Sequence, residues 1–282
     1  KQLIPDSILS TESAQAAPPV ISPPNGIVPI LVTITGTNIF YTIDGSEPTA
    51  YSTAYTAPFM VNTGNTAVRA IQFPPGSVAS ESASGFYDDL RTPENPTGVI
   101  PGVYYKWFDS SAAGGTLPAF ANLVEVESGI MPKFNLLTAA DGAPFRDTNF
   151  SFQYFGYVEV PVDGMYTFYT SSDDGSRLYI GNDLVVSNNF SQGMTERSGM
   201  VGLTAGKHAI RVEYGQGGGL FGFNVSYEGP TVTKQETPTT ALFTEPIVAP
   251  ITVSPNGGNF TTSVSVTLST ATTDSFIYYT TD

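Results

Sequence analysis

The stretch that decides the fold reads VDGMYTFYTSSDDGSRLYI and spans residues 162–180. An alternating run opens behind an Asp-Gly turn and a second one ends at Ile180, which predicts two half-buried strands. Between them, Asp173 and Asp174 are adjacent on a tight loop. Two neighbouring carboxylates make an anionic oxygen site. Ca²⁺ takes roughly six to eight oxygens, so a loop that supplies only a few leaves positions for water or hydroxyl groups.

Alternation continues along the chain after this segment. Ile210, Val212 and Tyr214 alternate with smaller or polar residues, and the same pattern recurs at residues 221–228. Each run has one apolar face and one polar or small face. The segment from about residue 152 to residue 228 therefore predicts a β-sandwich or barrel.

The composition agrees with a chain of strands and turns. The 282 residues exceed a typical domain of roughly 100–200 residues, so we expect two or more units. Charged residues make up only 13%, while Thr, Ser, Gly and Pro are abundant, which favours short strands over helices. We predict an all-β protein.

Charge and cysteine content exclude several classes of function. A net charge of −14 with only eleven Lys and Arg argues against a nucleic-acid partner, because phosphate binding needs clustered cations. Zero cysteines exclude thiolate metal sites and disulfides. The longest apolar stretch, residues 27–34, is far shorter than the roughly 20 residues of a membrane helix. No signal-peptide pattern opens the segment, so we expect any export signal outside it, and an extracellular or bacterial cell-surface location.

A long internal repeat is visible. Residues 1–12 recur as residues 234–245 with Lys, Gln, Pro, Leu, Thr and Glu in the same register, an offset of 233 residues. Residues 20–26 and 39–44 are echoed, in the same order, at residues 252–257 and 277–282. A fixed long period predicts one repeat plus a fragment of the next. Chance likeness between Pro- and Ser-rich linkers is the alternative.

Stretches rich in Pro, Thr and Ala mark the expected boundaries, where proline would act as a stiff spacer. We predict the following organisation: the end of a preceding repeat at residues 1–18, a small domain at 19–90, a linker at 91–98, a larger domain at 99–230, a linker at 231–247 and an incomplete second small domain at 248–282. An incomplete sandwich exposes strand edges, so neighbouring repeats or copies of the chain are expected partners.

The small domain shows three short expected strands, at residues 31–35, 39–43 and 67–73, with an Asp-Gly turn after the second. The string YTIDGSEPT at residues 41–49, following SPPNG at residues 22–26, resembles the chitobiase/β-hexosaminidase C-terminal domain family. The resemblance implies a small immunoglobulin-like sandwich that serves as a spacer or accessory module.

The larger domain carries several motifs in order: GVYYKW at residues 102–107, GMYTF at 164–168, SDDGSRLYIG at 172–181, LTAGKH at 203–208 and VEY at 212–214. Together they resemble the protective-antigen fourteen-kilodalton domain family. The resemblance implies a lectin-like β-sandwich of the kind found in bacterial toxins, glycosidases and adhesins. In its lectin members, an Asp-cis-Asp pair and a second loop hold Ca²⁺, and the ion binds vicinal hydroxyls of a sugar.

Carried over by position, the resemblance makes Asp173 and Asp174 the pair and residues 215–220 the second loop. We expect Asp173, Asp174 and Gln216 to bind Ca²⁺, with Gln216 supplying a neutral oxygen. Five further residues are expected to contact the ligand: Gly217, Gly218, Gly219, Leu220 and Arg177. The glycines lack side chains that would block a sugar or a backbone carbonyl from approaching the ion.

Each feature also has a simpler explanation. Asp-Asp-Gly is a common turn, and a glycine run can be a flexible loop without a ligand. Arg177 could pair with a nearby acid. Trp107 is expected in the core rather than against a sugar. His208, the only histidine, is expected at a strand edge with its ring hydrogen-bonded.

No catalytic residues are expected, because the chain has no Gly-x-Ser-x-Gly elbow and a lone histidine without cysteine leaves few ways to build a triad. We expect a calcium-dependent carbohydrate-binding module within a repetitive extracellular adhesin or surface protein, with glycans as partners. One alternative is a structural repeat of a stalk, sheath or filament in which calcium is purely structural. The other is an accessory module of a large glycoside hydrolase.

Overall fold

The structure, a computed structural model, describes residues 14–110, 116–134, 148–247, 251–272 and 276–281. Apart from two short 3-10 helices, Phe120–Asn122 and Thr239–Ala241, the regular structure of these residues consists of β-strands, which confirms the predicted all-β class. The first group of strands forms a small sandwich: β1 (Val20–Ser22), β2 (Asn25–Ile27), β3 (Ile30–Thr35), β4 (Ile39–Thr42), β5 (Thr53–Ala54), β6 (Phe59–Val61), β7 (Thr66–Gln72) and β8 (Ala83–Asp88).

The small sandwich consists of two sheets. One has the strand order β1-β3-β6 and the other the order β2-β8-β7-β4-β5. The strands expected around residues 31–35, 39–43 and 67–73 are present as β3, β4 and β7. The facing side chains form an apolar core: Ile21, Val32, Ile34, Ile39, Val61, Val68, Ala70 and Tyr87. Alternate positions are buried because each strand has only one face toward the other sheet.

A second group of strands forms the larger sandwich: β9 (Ile100–Pro101), β10 (Val103–Asp109), β11 (Glu125–Met131), β12 (Phe150–Val160), β13 (Gly164–Asp173), β14 (Gly175–Ile180), β15 (Asp183–Asn188), β16 (Thr195–Leu203), β17 (Gly206–Gln216), β18 (Gly222–Gly229), β19 (Val232–Glu236) and β20 (Leu242–Thr244). The large sheet has the order β11-β10-β12-β17-β14-β15, with β20 paired to β12 and β9 paired to β20. The small sheet has the order β16-β13-β18-β19.

The core of the larger domain lies between these two sheets. Tyr166 and Phe168 of β13 face Ile210 and Val212 of β17 across it, and all four side chains are buried. Trp107 is also buried, which confirms its expected place in the core. Each large apolar side chain buried in this way contributes roughly 1.5–3 kcal/mol, so the packed sheets are the main source of stability.

His208 differs from the expectation. It is fully buried, its Nε2 lies 2.7 Å from the carbonyl oxygen of Thr204, and Nδ1 has no partner among the described residues. The difference lies in this burial, because at His208 β17 pairs only with β12, opposite Val158, and its pairing with β14 ends at Ile210. Burial lowers the pKa of His208, so the ring is neutral and Nε2–H donates to Thr204.

The predicted linker at residues 231–247 is wrong for most of its length. β19 pairs with β18, and β20 pairs with β12, so both strands belong to the larger sandwich. Gly156 of β12 permits the approach of β20, because a Cβ there would lie 2.6 Å from the carbonyl oxygen of Phe243. Pro230 and Pro238 flank the strands instead of interrupting them, a placement that sheets tolerate.

The segment at residues 91–98 runs along the larger domain. The Arg91 N–H donates to the Gly202 carbonyl at 2.8 Å, and the Glu94 N–H donates to the Lys207 carbonyl at 3.0 Å. From the small sandwich, Asp88 Oδ2 accepts a bond of 3.2 Å from the Gly202 N–H. Hydrogen bonds therefore join the two sandwiches in addition to the peptide chain, and this segment is more than a proline spacer.

The C-terminal part contains one antiparallel pair, β21 (Thr252–Ser254) and β22 (Thr267–Ser269). Residues 1–13, 248–250, 273–275 and 282 lie outside the described residues. The first copy of the predicted repeat, at residues 1–12, falls there, as does most of the predicted unit at residues 1–18. In the part of the chain that the structure describes, no helix has the length and apolar character needed to cross a membrane.

Candidate functional site

Three connections between the two sheets of the larger domain meet at one end of the sandwich. The aspartate loop, Asp173 and Asp174, joins β13 of the small sheet to β14 of the large sheet. The glycine loop, residues 217–221, joins β17 to β18, and the third loop, residues 189–194, joins β15 to β16. Each connection passes from one sheet to the other, so the three loops lie side by side across the same end of the sandwich.

Asp174 holds these loops together. Its carboxylate is 6% exposed and accepts hydrogen bonds on both oxygens. Oδ1 accepts from the Gln192 N–H at 2.9 Å and from the Ser191 hydroxyl at 3.4 Å, both in the third loop. Oδ2 accepts from the N–H of Gly217, in the glycine loop, at 3.0 Å. A buried carboxylate bonded to two other loops fixes their relative positions.

Asp173 is joined to Asp174 by a cis peptide bond. The environment of its side chain differs from that of Asp174. Its carboxylate is half-buried and accepts no hydrogen bond and forms no ion pair among the described residues. Burial raises the pKa of Asp173, and the neighbouring charge of Asp174 raises it further. The aspartate loop thus carries a carboxylate whose negative charge the described residues do not compensate.

Gln216 ties the aspartate loop to the glycine loop. Its Oε1 accepts from the Asp174 N–H at 3.1 Å and from the Tyr214 hydroxyl at 3.2 Å, and its Nε2–H donates to the Leu220 carbonyl at 3.1 Å. The single O–H of Tyr214 is shared between Gln216 Oε1 and the carbonyl oxygen of Asp173, which is the nearer of the two acceptors. Burial, followed by the charges of Asp173 and Asp174, raises the pKa of Tyr214, so it stays a hydrogen-bond donor.

A buried polar layer supports the aspartate loop from below. Ser172 and Ser176, which flank the loop, are fully buried, and their hydroxyls are 2.8 Å apart. Asn188 is also fully buried, and its Nδ2 donates to the Ser172 hydroxyl at 3.1 Å and to the Thr195 carbonyl at 2.9 Å. Its Oδ1 accepts from the Gln192 side chain at 2.7 Å, which links this layer to the third loop.

The sequence did not indicate the third loop or the polar layer. Ser191, Gln192 and Asn188 lie in no motif, and polar residues before a glycine are typical of any turn. Only the crossing of three connections at one end of the sandwich brings them to Asp174.

The glycine loop is open to solvent. A Cβ at Gly218 would meet nothing closer than the Thr148 Cγ2 at 3.8 Å, and one at Gly219 would meet nothing within 4 Å. Gly219 has φ +90°, a conformation that favours glycine. The Leu220 side chain is 86% exposed. The Gly217 carbonyl accepts from the Asn149 N–H at 2.9 Å, while no described hydrogen bond uses the carbonyl oxygens of Gly218 or Gly219.

Arg177 is not part of this cluster. Ser176 points between the sheets, so Arg177, the next residue of β14, lies on the outer face of the large sheet opposite Glu213. It forms no ion pair within the described residues, and its Nε has no hydrogen-bond partner there. The structure thus separates Arg177 from the aspartate and glycine loops.

The residues present fit a Ca²⁺ ion. Asp173 offers a carboxylate without a partner among the described residues, and the Asp174 carboxylate has roughly four acceptor positions, of which three are used. Both acceptor positions of Gln216 Oε1 are occupied by protein donors, so its direct contact with a metal stays a prediction. Within the described ranges, no three acidic or histidine side chains converge. Two carboxylates fill only part of a calcium shell, which leaves positions for other oxygens.

The larger domain is a two-sheet β-sandwich with its candidate site on loops that cross between the sheets. A family model described as the PA14 domain matches residues 101–241, half of the chain, and the chain belongs to that family. A second model, the chitobiase/beta-hexosaminidase C-terminal domain, matches residues 24–84. Both resemblances predicted from the motifs are thereby confirmed.

Individual relatives share smaller parts of the chain. The anti-sigma-I factor RsgI3 of Acetivibrio thermocellus is 42% identical over 72 residues, which are 25% of this chain and 11% of that protein. This chain therefore spans about a tenth of the length of the curated relative.

Two solved structures are similar at low sequence identity. The PA14 domain of the MpAFP antifreeze protein is 15% identical, with 55% of this chain and 97% of that chain covered and a TM-score of 0.44. The epithelial adhesin 9 A domain of Candida glabrata, solved in complex with Galb1-3GlcNAc, is 15% identical, with 55% and 96% covered and a TM-score of 0.43.

Proposed function

We propose that the larger domain is a carbohydrate-binding module in which Asp173 and Asp174 hold Ca²⁺ against the hydroxyl groups of a glycan. The observation that carries this proposal is the Asp173 carboxylate, which has no partner among the described residues and lies beside the buried Asp174, whose carboxylate keeps one acceptor position unused. Membership of the PA14 family supports it.

Each residue of the site has a separate task in this proposal. Bound Ca²⁺ would neutralise both carboxylates and accept hydroxyl oxygens in its unfilled positions. Asp174 and Gln216 keep the loops in register, and the open Gly218 and Gly219 leave space for a ligand next to Asp173. Leu220 presents an exposed apolar side chain, suited to the apolar face of a pyranose ring.

A terbium titration tests the metal step. Tb³⁺ replaces Ca²⁺ at oxygen sites and emits when a nearby tyrosine is excited, and Tyr214 donates a hydrogen bond to the Asp173 carbonyl. We expect saturable emission that Ca²⁺ reverses and that Asp173→Asn abolishes. Asp183→Asn, an exposed aspartate at a different turn, is the matched control and should keep the emission. Equal emission from both variants would contradict the assignment of the ion to Asp173.

A glycan array tests the second step. The wild-type protein should bind a subset of glycans in Ca²⁺, lose them in EDTA, and lose them again in Asp173→Asn. Binding that persists unchanged in EDTA would show that calcium takes no part. Saturable metal binding with no glycan bound would favour the alternative in which calcium is purely structural.

We further propose that the module works outside the cell, in an adhesin or surface protein with repeated units, as the internal repeat indicates. One observation favours the structural alternative: the hydrogen bonds of Asp88, Arg91 and Glu94 join the two sandwiches, as a stiff stalk would require. The role of accessory module to a glycoside hydrolase, and the absence of catalysis by this segment, stay predictions.

A further inference from the structure

A second recessed surface lies on the outer face of the large sheet, away from the three loops. Residues 244–247 pass over the edge of that face and leave a groove of about 560 Å³ between themselves and β12, β17 and β10. Ala209, Ile210 and Arg211 of β17 line it, whereas Gln216 ends the same strand. Five residues of strand separate Arg211 from Gln216, or roughly 17 Å, so the groove and the aspartate loop are distinct places.

The floor of the groove is formed by a ladder of flat side chains in strand register, which Tyr179 continues beyond the residues that line the groove. Tyr104 of β10 lies opposite Phe155 of β12, Phe155 lies opposite Arg211 of β17, and Arg211 lies opposite Tyr179 of β14. The rings of Tyr104 and Phe155 are 6.5 Å apart, and the Arg211 guanidinium lies 3.8 Å from the centre of the Tyr179 ring. Three neighbouring strands at about 4.8 Å spacing make the part of this ladder inside the groove roughly 10 Å long.

Polar groups that can bind a ligand border the ladder. The Tyr104 hydroxyl and the exposed Asn182 amide make no hydrogen bond within the described part of the chain, and both residues line the groove. Arg211 donates to Glu213 from one nitrogen of its guanidinium, a group with five donors in all. On the opposite wall, the Tyr157 hydroxyl donates to Glu245 at 3.3 Å, which fixes a carboxylate acceptor.

The surface is suited to a ligand recognised by side chains rather than by backbone pairing. β12 and β17 are each paired on both sides, so this face offers no free strand edge for a peptide to extend. The net charge of −14, with Glu213 and Glu245 close by, disfavours a polyanion. Flat rings beside planar amide, guanidinium and carboxylate groups fit pyranose rings, which combine an apolar face with hydroxyl groups at the rim.

We infer that this groove binds a neutral, unbranched oligosaccharide without calcium, with Phe155 and Tyr104 as the stacking surface. Asn182, Arg211 and Glu245 bind the hydroxyl groups. The groove would let the domain hold an extended chain at a place separate from the aspartate loop.

The test titrates the full chain, in EDTA, with cellohexaose, xylohexaose and mannohexaose and follows the amide signals by two-dimensional NMR. One of these probes should shift the signals of residues lining the groove. Phe155→Ala should then weaken binding about tenfold, as loss of a stacked ring predicts, whereas Phe155→Tyr keeps the ring and should bind as the wild type does. Asn182→Ala, an exposed change that leaves the core intact, should weaken it as well.

Tyr169→Ala, on the outer face of the small sheet, is the matched control and should bind normally. The inference is overturned if none of the three probes binds at millimolar concentration, or if Phe155→Ala and Tyr169→Ala bind alike. Because these titrations contain EDTA, failure of the calcium site would leave their result unchanged. A separate titration in Ca²⁺ completes the test: binding that appears only there would assign the ligand to the aspartate loop and also overturn the inference.

Discussion

Replacing Gln216 with alanine should remove the hydrogen bonds that connect the aspartate loop to the glycine loop. Gln216 is 1% exposed and makes three hydrogen bonds, with the Asp174 N–H, the Tyr214 hydroxyl and the Leu220 carbonyl. Alanine offers none of them, and the Asp174 N–H that loses its acceptor belongs to a buried residue. The substitution therefore measures how much the side-chain amide of Gln216 contributes to the stability of the two loops.

The expected loss in the free energy of unfolding is the sum of the effects on the three hydrogen-bond partners of Gln216. The Asp174 N–H is left buried without its acceptor, which costs about 1–3 kcal/mol. Tyr214 keeps its bond to the Asp173 carbonyl and loses only the longer one, a net effect of about 0.5–1.5 kcal/mol. The Leu220 carbonyl lies in the open loop and can bind water instead. The free energy of unfolding should fall by roughly 2–4 kcal/mol, a large share of the roughly 5–15 kcal/mol of a typical domain.

Differential scanning calorimetry and urea titration measure this loss. For a chain of this size it corresponds to a fall in Tm of roughly 4–16 °C. Gln153→Ala is the matched control, because Gln153 is a half-buried residue on the outer face of the large sheet whose described hydrogen bond, to Glu213, is 3.2 Å long. That change should cost less than about 1 kcal/mol. The reasoning is refuted if Gln216→Ala destabilises the protein no more than Gln153→Ala does.

Two further predictions concern the glycine loop and the buried histidine. Gly219→Ala should weaken Tb³⁺ binding and lower the free energy of unfolding by about 1 kcal/mol, because alanine is strained at φ +90°. Gly218→Ala is the control and should change neither quantity. Equal effects of the two substitutions in calorimetry and luminescence would contradict this prediction. The pKa of His208 in the folded protein lies below its ordinary value of about 6.5. The stabilisation that the neutral ring contributes is therefore complete above about pH 6.5 and is lost as the pH falls below that value, because the unfolded chain binds the proton first. Urea unfolding between about pH 8 and about pH 5 should show this slope in the wild type and a smaller one in His208→Gln; parallel curves would refute it.

Features that depend on local pattern could be predicted from the sequence. Alternation is set by neighbouring residues, so β13, β17 and the burial of Trp107 were accessible without a structure. The placement of Asp173 and Asp174 between two strands was accessible for the same reason.

Features that depend on how strands are arranged in space could not be predicted. The third loop reaches Asp174 only because β15 and β16 belong to different sheets, a fact that no spacing in the sequence records. Proline suggested a linker where β19 and β20 complete the sandwich. Arg177 follows Ser176 by a single residue, and in a strand that single step moves a side chain to the opposite face.

A calorimetric titration of Ca²⁺ into the wild-type protein and into Asp173→Asn tests the assignment of the ion to the aspartate loop most directly. We expect one saturable site in the wild type and none in the variant, with Tm values measured in EDTA showing that both proteins are folded. Heat of binding that is the same in both proteins, or a wild type that binds no Ca²⁺ at millimolar concentration, would contradict it.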